Sequence, residues 1–229
     1  MQKKVVVVLY EYFFPGYKAG GPIQSLVNMI LALQNVYEFK VITTAFDLNE
    51  TVVYSNISIN QWNTIELHSQ TEPIQVWYSS TPKIELNKMH QLLTDANPDY
   101  IFVNGLFTSF FSQPLRLLKK GKLTNVQVIV SPRGMLQKGA LQVKPIRKKL
   151  YLQLFKTAGL FKYINWHATN ESEVEDIHTL LGNNAIVNIA ANVPKLPLPS
   201  IELPNKTKGS LRLIYLSIIT PKKNLLLLL

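Results

Sequence analysis

The sequence predicts an α/β domain built on a Rossmann-like parallel sheet with helices on both faces. Short β-branched runs recur along the chain as continuous apolar stretches, and the segments between them repeat apolar residues at helical spacing. Strands covered by helices on both sides read as unbroken apolar runs, whereas strands with one wet face alternate. At 229 residues and 47% hydrophobic content, the chain can bury a sizeable core.

The first element is KVVVVLY, from Lys4. A short basic start precedes it, but the apolar run is too short to span a membrane and lacks a small-residue cleavage site, so it reads as a first buried strand. Ile23, Leu26, Val27, Ile30 and Leu33 then mark a helix, with Pro22 acceptable in its first turn. EFKVITTA from Glu38 is the second strand. Residues 47–69 are polar and strand-prone without a clear period, which suggests an inserted hairpin or a mobile loop. IQVWY from Ile74 follows, then a helix from Glu85 that stops at Asn97-Pro98. DYIFVN from Asp99 precedes a helix expected after Pro114 and ended by Gly121. VQVIV from Val126 leads to a longer basic helix or helix pair over 143–161. YINWHA from Tyr163, a helix from Glu171 to Leu181 closed by Gly182, and AIVNI from Ala185 complete the alternation. The proline- and charge-rich stretch 194–209 has the composition of an interdomain linker. LRLIYLS and PKKNLLLLL then resume as a strand and a helix start, the opening of a second domain.

A net charge of +10 implies anionic company: a nucleotide, phospholipid headgroups, a nucleic acid backbone or an acidic glycan. Disulfides and thiolate metal sites are excluded, because there is no cysteine. His68, His90, His167 and His178 lack metal-ligand spacing, and His167 reads as a satisfied histidine in an apolar strand. Glu171, Glu173, Glu175 and Asp176 share one short helix and read as a solvated face. No GxSxG occurs, and aromatic residues are not interleaved with basic ones, which argues against nucleic acid as the partner. From Lys144, the basic residues Lys144, Arg147, Lys148 and Lys149 stand beside Leu150, Tyr151, Leu152, Leu154 and Phe155. Such a segment suits a helix packed by one apolar stripe with its lysines in water, or an anionic membrane surface.

The loop between the first strand and the first helix lies where open α/β sheets bind ligands, at the carboxyl edge. Gly20 and Gly21 would let a phosphate or sugar approach the backbone, next to the free N–H groups of a helix start. The dinucleotide fingerprint is missing. Gly16 to Gly21 has the outer spacing of a P-loop, but Pro22 follows where that motif needs lysine.

In chain order, P-G-x-x-x-G-G-P from Pro15, DYIFVNGLF, VIVSPRGMLQKGAL, INWHATNESEVEDI and LIYLSIITPKKNL resemble the amino-terminal half of a family 4 glycosyltransferase of the GT-B fold. The resemblance covers nearly the whole chain, and its most specific piece is SPRGMLQKGAL. It implies a retaining enzyme that moves a sugar from a nucleotide diphosphate donor to a glycan or lipid-linked acceptor in surface polysaccharide synthesis. No metal and no further cofactor are implied. The expected setting is the cytoplasm, with a peripheral place on the inner face of the membrane. Residues 1–193 would form the acceptor-side domain, 194–209 the linker, and 210–229 the start of a truncated donor-side domain. Gly20 and Gly21 match the glycine loop near the donor phosphates. Arg133 stands where many relatives carry histidine. It cannot act as a general base near neutral pH, but it can hold an anion or orient an acceptor. Asn104 and Gly134 match positions that contact acceptor, and Glu171 matches the family's acidic residue there, which could instead cap the helix that follows. Lys223, with Lys222 beside it, fits the family's lysine for the donor diphosphate, while Ile218 displaces the expected arginine and Ala190-Ala191-Asn192 replaces the usual P-N-G turn. These departures leave a second reading open, a non-catalytic Rossmann-like binding module.

Overall fold

A computed structural model describes residues 2–69, 71–195, 208–210, 214, 215 and 225. The chain divides into two compact units, Met1–Pro194 and Lys195–Leu229, and all strands and α-helices of the described residues belong to the first.

That unit is an eight-stranded sheet with helices on both faces. Its strands are β1 (Lys4–Leu9), β2 (Tyr37–Thr44), β3 (Trp62–Ile65), β4 (Ile74–Ser79), β5 (Tyr100–Asn104), β6 (Gln127–Ser131), β7 (Ile164–Ala168) and β8 (Val187–Ile189). They lie in the order β3-β4-β2-β1-β5-β6-β7-β8, and all pairings are parallel except β3 with β4. The helices are α1 (Gly21–Leu33), α2 (Leu86–Ala96), α3 (Ser109–Lys119), α4 (Lys138–Leu141), α5 (Pro145–Thr157) and α6 (Glu171–Leu181), with a 3-10 turn at Leu160–Tyr163.

The run of four valines in β1 explains the layering. Val7 and Leu9 join the core formed by α2, α3, α5 and α6, whereas Val6 and Val8 face the other side and pack on Ile23, Leu26, Val27 and Ile30 of α1. A strand sandwiched in this way has no polar position to spare. Because β1 lies between β2 and β5, the winding direction reverses there, and the crevice beyond the carboxyl ends of β1 and β5 is the topological switch point.

Three sequence expectations change in detail. The helix expected after Pro114 starts at Ser109, with Pro114 buried inside it. Thr108 caps it by accepting from the Phe111 N–H at 3.3 Å, and burial of Phe110, Phe111, Leu115 and Leu117 outweighs the hydrogen bond that proline cannot donate. Residues 47–69 contain one strand of a hairpin and not both: β3 pairs antiparallel with the next strand, β4, and an isolated antiparallel bridge joins Phe46 to Val53. The basic segment over 143–161 breaks at Ala158-Gly159, where Gly159 adopts positive φ, into α5 and the 3-10 turn.

Candidate functional site

Four connections meet at the carboxyl edge of the sheet: the loops after β1, β5 and β6, and the segment after β8. After β6, the Met135 N–H returns to the Pro132 carbonyl at 3.0 Å, with Arg133 and Gly134 between them at φ 54° and 70°. Both central residues at positive φ is the pattern of a type I′ turn, which suits glycine and strains arginine.

The Arg133 side chain is held from two sides. Its Nε donates to Asn104 Oδ1 at 2.6 Å, and Nη1 donates to Asn192 Oδ1. Ser25 on α1 also donates to Asn192 Oδ1, at 2.9 Å, and Asn28 Nδ2 donates to the Val193 carbonyl at 3.1 Å, so α1 and the post-β8 segment are pinned together around the guanidinium. Burial lowers the Arg133 pKa from its ordinary value, and the nearby carboxylate of Glu173 opposes that shift. Arginine titrates so high that it stays charged. No ion pair of the described residues includes it. The outcome is a positive charge, partly desolvated and aimed by two neutral amides, with N–H donors left over for an anion. Asn104 is itself buried, and its Nδ2 has no partner among the described groups.

The turn is fixed from below by Glu173. This carboxylate, 2% exposed, accepts from the Gly134 N–H at 2.7 Å through one oxygen, and from the Thr169 N–H and hydroxyl at 2.8 and 2.9 Å through the other. Asn170 caps α6 by accepting from the Glu173 N–H at 3.0 Å, which places the side chain in the first turn where a carboxylate suits the helix dipole. Glu173 is therefore not part of a solvated face. Glu171, two residues earlier, is exposed at the helix start, and Gly134 spends its N–H on Glu173.

The glycine loop is anchored away from this arginine. Asp47 accepts from the N–H groups of Tyr17, Lys18 and Leu48; burial pushes its carboxyl up, but these three donors outweigh it and hold the pKa below the ordinary value. The Tyr78 hydroxyl donates to the Phe14 carbonyl at 2.5 Å, and Phe14-Pro15 is cis. A Cβ on Gly16 would meet Tyr54 Oη at 2.2 Å and the Phe13 carbonyl at 2.9 Å, so this glycine is needed for packing. Gly20 caps α1 at φ 70°, ψ −132°, a conformation that only glycine adopts readily, whereas Gly21 has open space around it and ordinary φ. Gly20→Ala should cost about 1–3 kcal/mol of stability, while Gly21→Ala should leave the denaturation midpoint unchanged. Any loss of ligand binding in Gly21→Ala would then report contact, not folding.

His167 on β7 is fully used. Its Nε2 faces the Ala190 carbonyl at 2.9 Å and must donate, so in the neutral ring Nδ1 accepts from Ser131 Oγ at 3.0 Å. Burial, first, and then Arg133 lower its pKa below that of an ordinary histidine, against the Ala190 hydrogen bond and Glu173. The unfolded chain therefore binds this proton at a higher pH than the folded one, and stability falls as pH drops below about 6.5. Denaturation midpoints of wild type and His167→Gln between pH 7.5 and 5 should show the steeper loss in wild type.

Together the parts form a cleft edge that can receive an anion. Arg133, Asn192 and His167 also border a groove of about 510 Å³ whose floor includes Phe39, Tyr100, Phe102 and Ile129. Of the sequence-derived site residues, Arg133 and Asn104 are in contact, Gly134 supports the turn, Gly20 and Gly21 open the neighbouring helix, and Glu171 stands apart. Lys222, Lys223 and Ile218 lie outside the described residues. Sequence reasoning missed Glu173 and Asn192. Nothing in their spacing marks them, although S/T/D/N-x-x-E at Asn170 is a helix-start pattern that places a glutamate against the preceding loop. Among the described residues, no group of three or more His, Asp or Glu side chains is placed to hold a metal ion.

No protein-family model matches the chain, and no curated protein matches it. Among solved structures, a sucrose-phosphate synthase from Thermosynechococcus elongatus is similar over 82% of this chain and 48% of its own, at 11% identity and a TM-score of 0.56. A protein described as a UDP-N-acetylglucosamine 2-epimerase from Listeria monocytogenes aligns over 83% of this chain and 69% of its own, at 11% identity, but its TM-score of 0.31 carries no argument. The first likeness shows the fold alone, a Rossmann-like α/β domain that this chain shares with part of that synthase. The chain spans about half the length of that synthase.

Proposed function

We propose that residues 1–193 are the acceptor-side domain of a retaining family 4 glycosyltransferase, followed by a linker over 194–209 and the start of the donor-side domain over 210–229. The enzyme moves a sugar from a nucleotide diphosphate to a glycan or lipid-linked acceptor in surface polysaccharide synthesis, at the cytoplasmic face of the membrane. The observation that carries this reading is Arg133, strained in backbone and clamped by Asn104 and Asn192 at the switch point beside the glycine loop. In the proposed reaction the bond from the sugar C1 to the phosphate oxygen breaks as the acceptor oxygen bonds to C1 on the same face. The acceptor proton passes to the leaving phosphate. Arg133 stabilises charge or orients the acceptor, and no metal takes part. Lys222, Lys223 and the α1 amino terminus with Gly20 and Gly21 would hold the diphosphate.

A second reading, a non-catalytic binding module, rests on the departures at Arg133 and Ile218 from the family's pattern. Both His167 nitrogens are engaged and Glu173 is saturated by three donors, so neither is a free general base, and the enzyme reading depends on the leaving phosphate to take the proton. The two are separated by following nucleoside diphosphate release from a panel of sugar nucleotides, with glycan and lipid-linked acceptors, by the protein carrying both domains. Release that needs acceptor and is lost in Arg133→Gly supports the enzyme. Binding without release under every condition supports the module.

A further inference from the structure

We infer that the pocket beyond the carboxyl ends of β2 and β4 binds a neutral sugar unit of a glycan, with neighbouring hydroxyls of the sugar donating to the Glu11 carboxylate. That this glycan is the acceptor rests on the sugar-transfer reading; that the pocket binds it does not.

Glu11 is fixed at its backbone and free at its side chain. Two residues beyond the end of β1, its carbonyl accepts from the Thr44 N–H at 3.3 Å and the Thr44 hydroxyl at 2.6 Å, which fastens it to the end of β2. Its half-buried carboxylate makes no hydrogen bond and no ion pair among the described residues. Burial pushes its pKa up, and no neighbouring donor or cation opposes the shift. A carboxylate partly removed from water and left unpaired is costly, and a ligand that donates to it recovers that cost.

The carboxylate lines a pocket of about 320 Å³, room enough for a sugar ring. Tyr12, Phe46 and Pro82 give the pocket apolar walls, while Asn49 and Thr51, both exposed, supply an amide and a hydroxyl. A sugar needs this mixture, because its C–H bonds can lie on aromatic rings while its hydroxyls meet polar groups.

Charge narrows the class of ligand. The other two carboxylates of the lining are already engaged, Asp47 by the N–H groups of Tyr17, Lys18 and Leu48, and Glu50 by Lys18. No lysine or arginine lines the pocket, so a phosphate or a uronate would meet Glu11 unopposed although the whole chain carries +10. An ionised carboxylate only accepts, and its two oxygens suit two adjacent O–H donors in short, charge-assisted hydrogen bonds. Arg133 follows β6, on the other side of β1 in the sheet, so an anion and a neutral glycan would have separate places.

Saturation-transfer NMR tests this with the chain and neutral trisaccharides of glucose, mannose, galactose and N-acetylglucosamine, beside trigalacturonic acid. At least one neutral trisaccharide should bind and the acidic one should not. Glu11→Gln should weaken binding about tenfold, and Thr51→Trp, which fills the pocket from an exposed position, should abolish it. Wild-type binding should weaken as falling pH protonates Glu11, whereas binding by Glu11→Gln should not change. The denaturation midpoint of Glu11→Gln at pH 7.5 should equal or exceed that of wild type, because an unpaired charge is removed. The pocket is wrongly assigned if no neutral trisaccharide binds, if trigalacturonic acid binds as tightly, if Glu11→Gln binds like wild type, or if its midpoint falls. In the protein carrying both domains, a raised acceptor KM at unchanged kcat in Glu11→Gln supports the pocket. Transfer with an unchanged KM overturns the pocket and leaves the transfer reading standing; trisaccharide binding without any transfer does the reverse.

Discussion

Glu173→Ala is expected to be the most destabilising single change at the site, lowering stability by roughly 3 kcal/mol or more. Each buried donor left without an acceptor costs about 1–3 kcal/mol. The Gly134 N–H, the Thr169 N–H and the Thr169 hydroxyl would all lose theirs. Glu173→Gln keeps the shape but replaces one oxygen with a donor facing a donor, so it should fall between alanine and wild type. Glu171→Ala, on the exposed start of the same helix, removes only a favourable charge near the dipole and should cost about 0.3–1 kcal/mol. Denaturation curves of the three variants measure the contrast directly. Similar losses at the two positions would mean that the Glu173 network is not what holds the turn.

Arg133→Gly should separate function from stability. Glycine relieves the left-handed backbone at φ 54° and removes a partly desolvated charge, gains that offset the lost hydrogen bonds to Asn104 and Asn192. Stability should stay within about 1 kcal/mol of wild type. Turnover, by contrast, should fall by about 10²–10³, the usual consequence of removing a preorganised group from developing charge. Arg133→Lys retains a charge without the planar fork, so it cannot reach both asparagines at once and should recover little. A large stability loss in Arg133→Gly, with turnover intact, would assign the arginine a purely structural role.

The layering was legible because β1 is apolar without a break from Val5 to Leu9 and the helices carry period and caps. Thr108 and Pro114 show the limit: proline reads as a helix start locally, but four buried side chains decide the boundary, and burial is not visible in a short window. Arg133 and Asn104 could be singled out from motifs at strand ends. Their partners could not, because Asn192 lies 59 residues beyond Arg133 and meets it only through the parallel register of β6, β7 and β8. Glu173 was hidden among other acids of one helix. Which of them points inward is set by where α6 packs, with Ile177 one turn later facing the core. The basic segment shows the converse. Its two apolar sides were read as one stripe, and only the aromatic packing of Tyr151 and Phe155 reveals that a second remains uncovered.

On the proposed function, Arg133 receives the anion of a sugar nucleotide at the switch point of the sheet. Calorimetric titration of nucleoside diphosphates and sugar nucleotides into the protein carrying both domains, as wild type and as Arg133→Gly, tests it most directly. Binding of at least one sugar nucleotide is expected, weakened about tenfold to a hundredfold by the substitution, as for loss of a charged hydrogen bond. Equal affinity in the two proteins, or no binding of any sugar nucleotide, would contradict it.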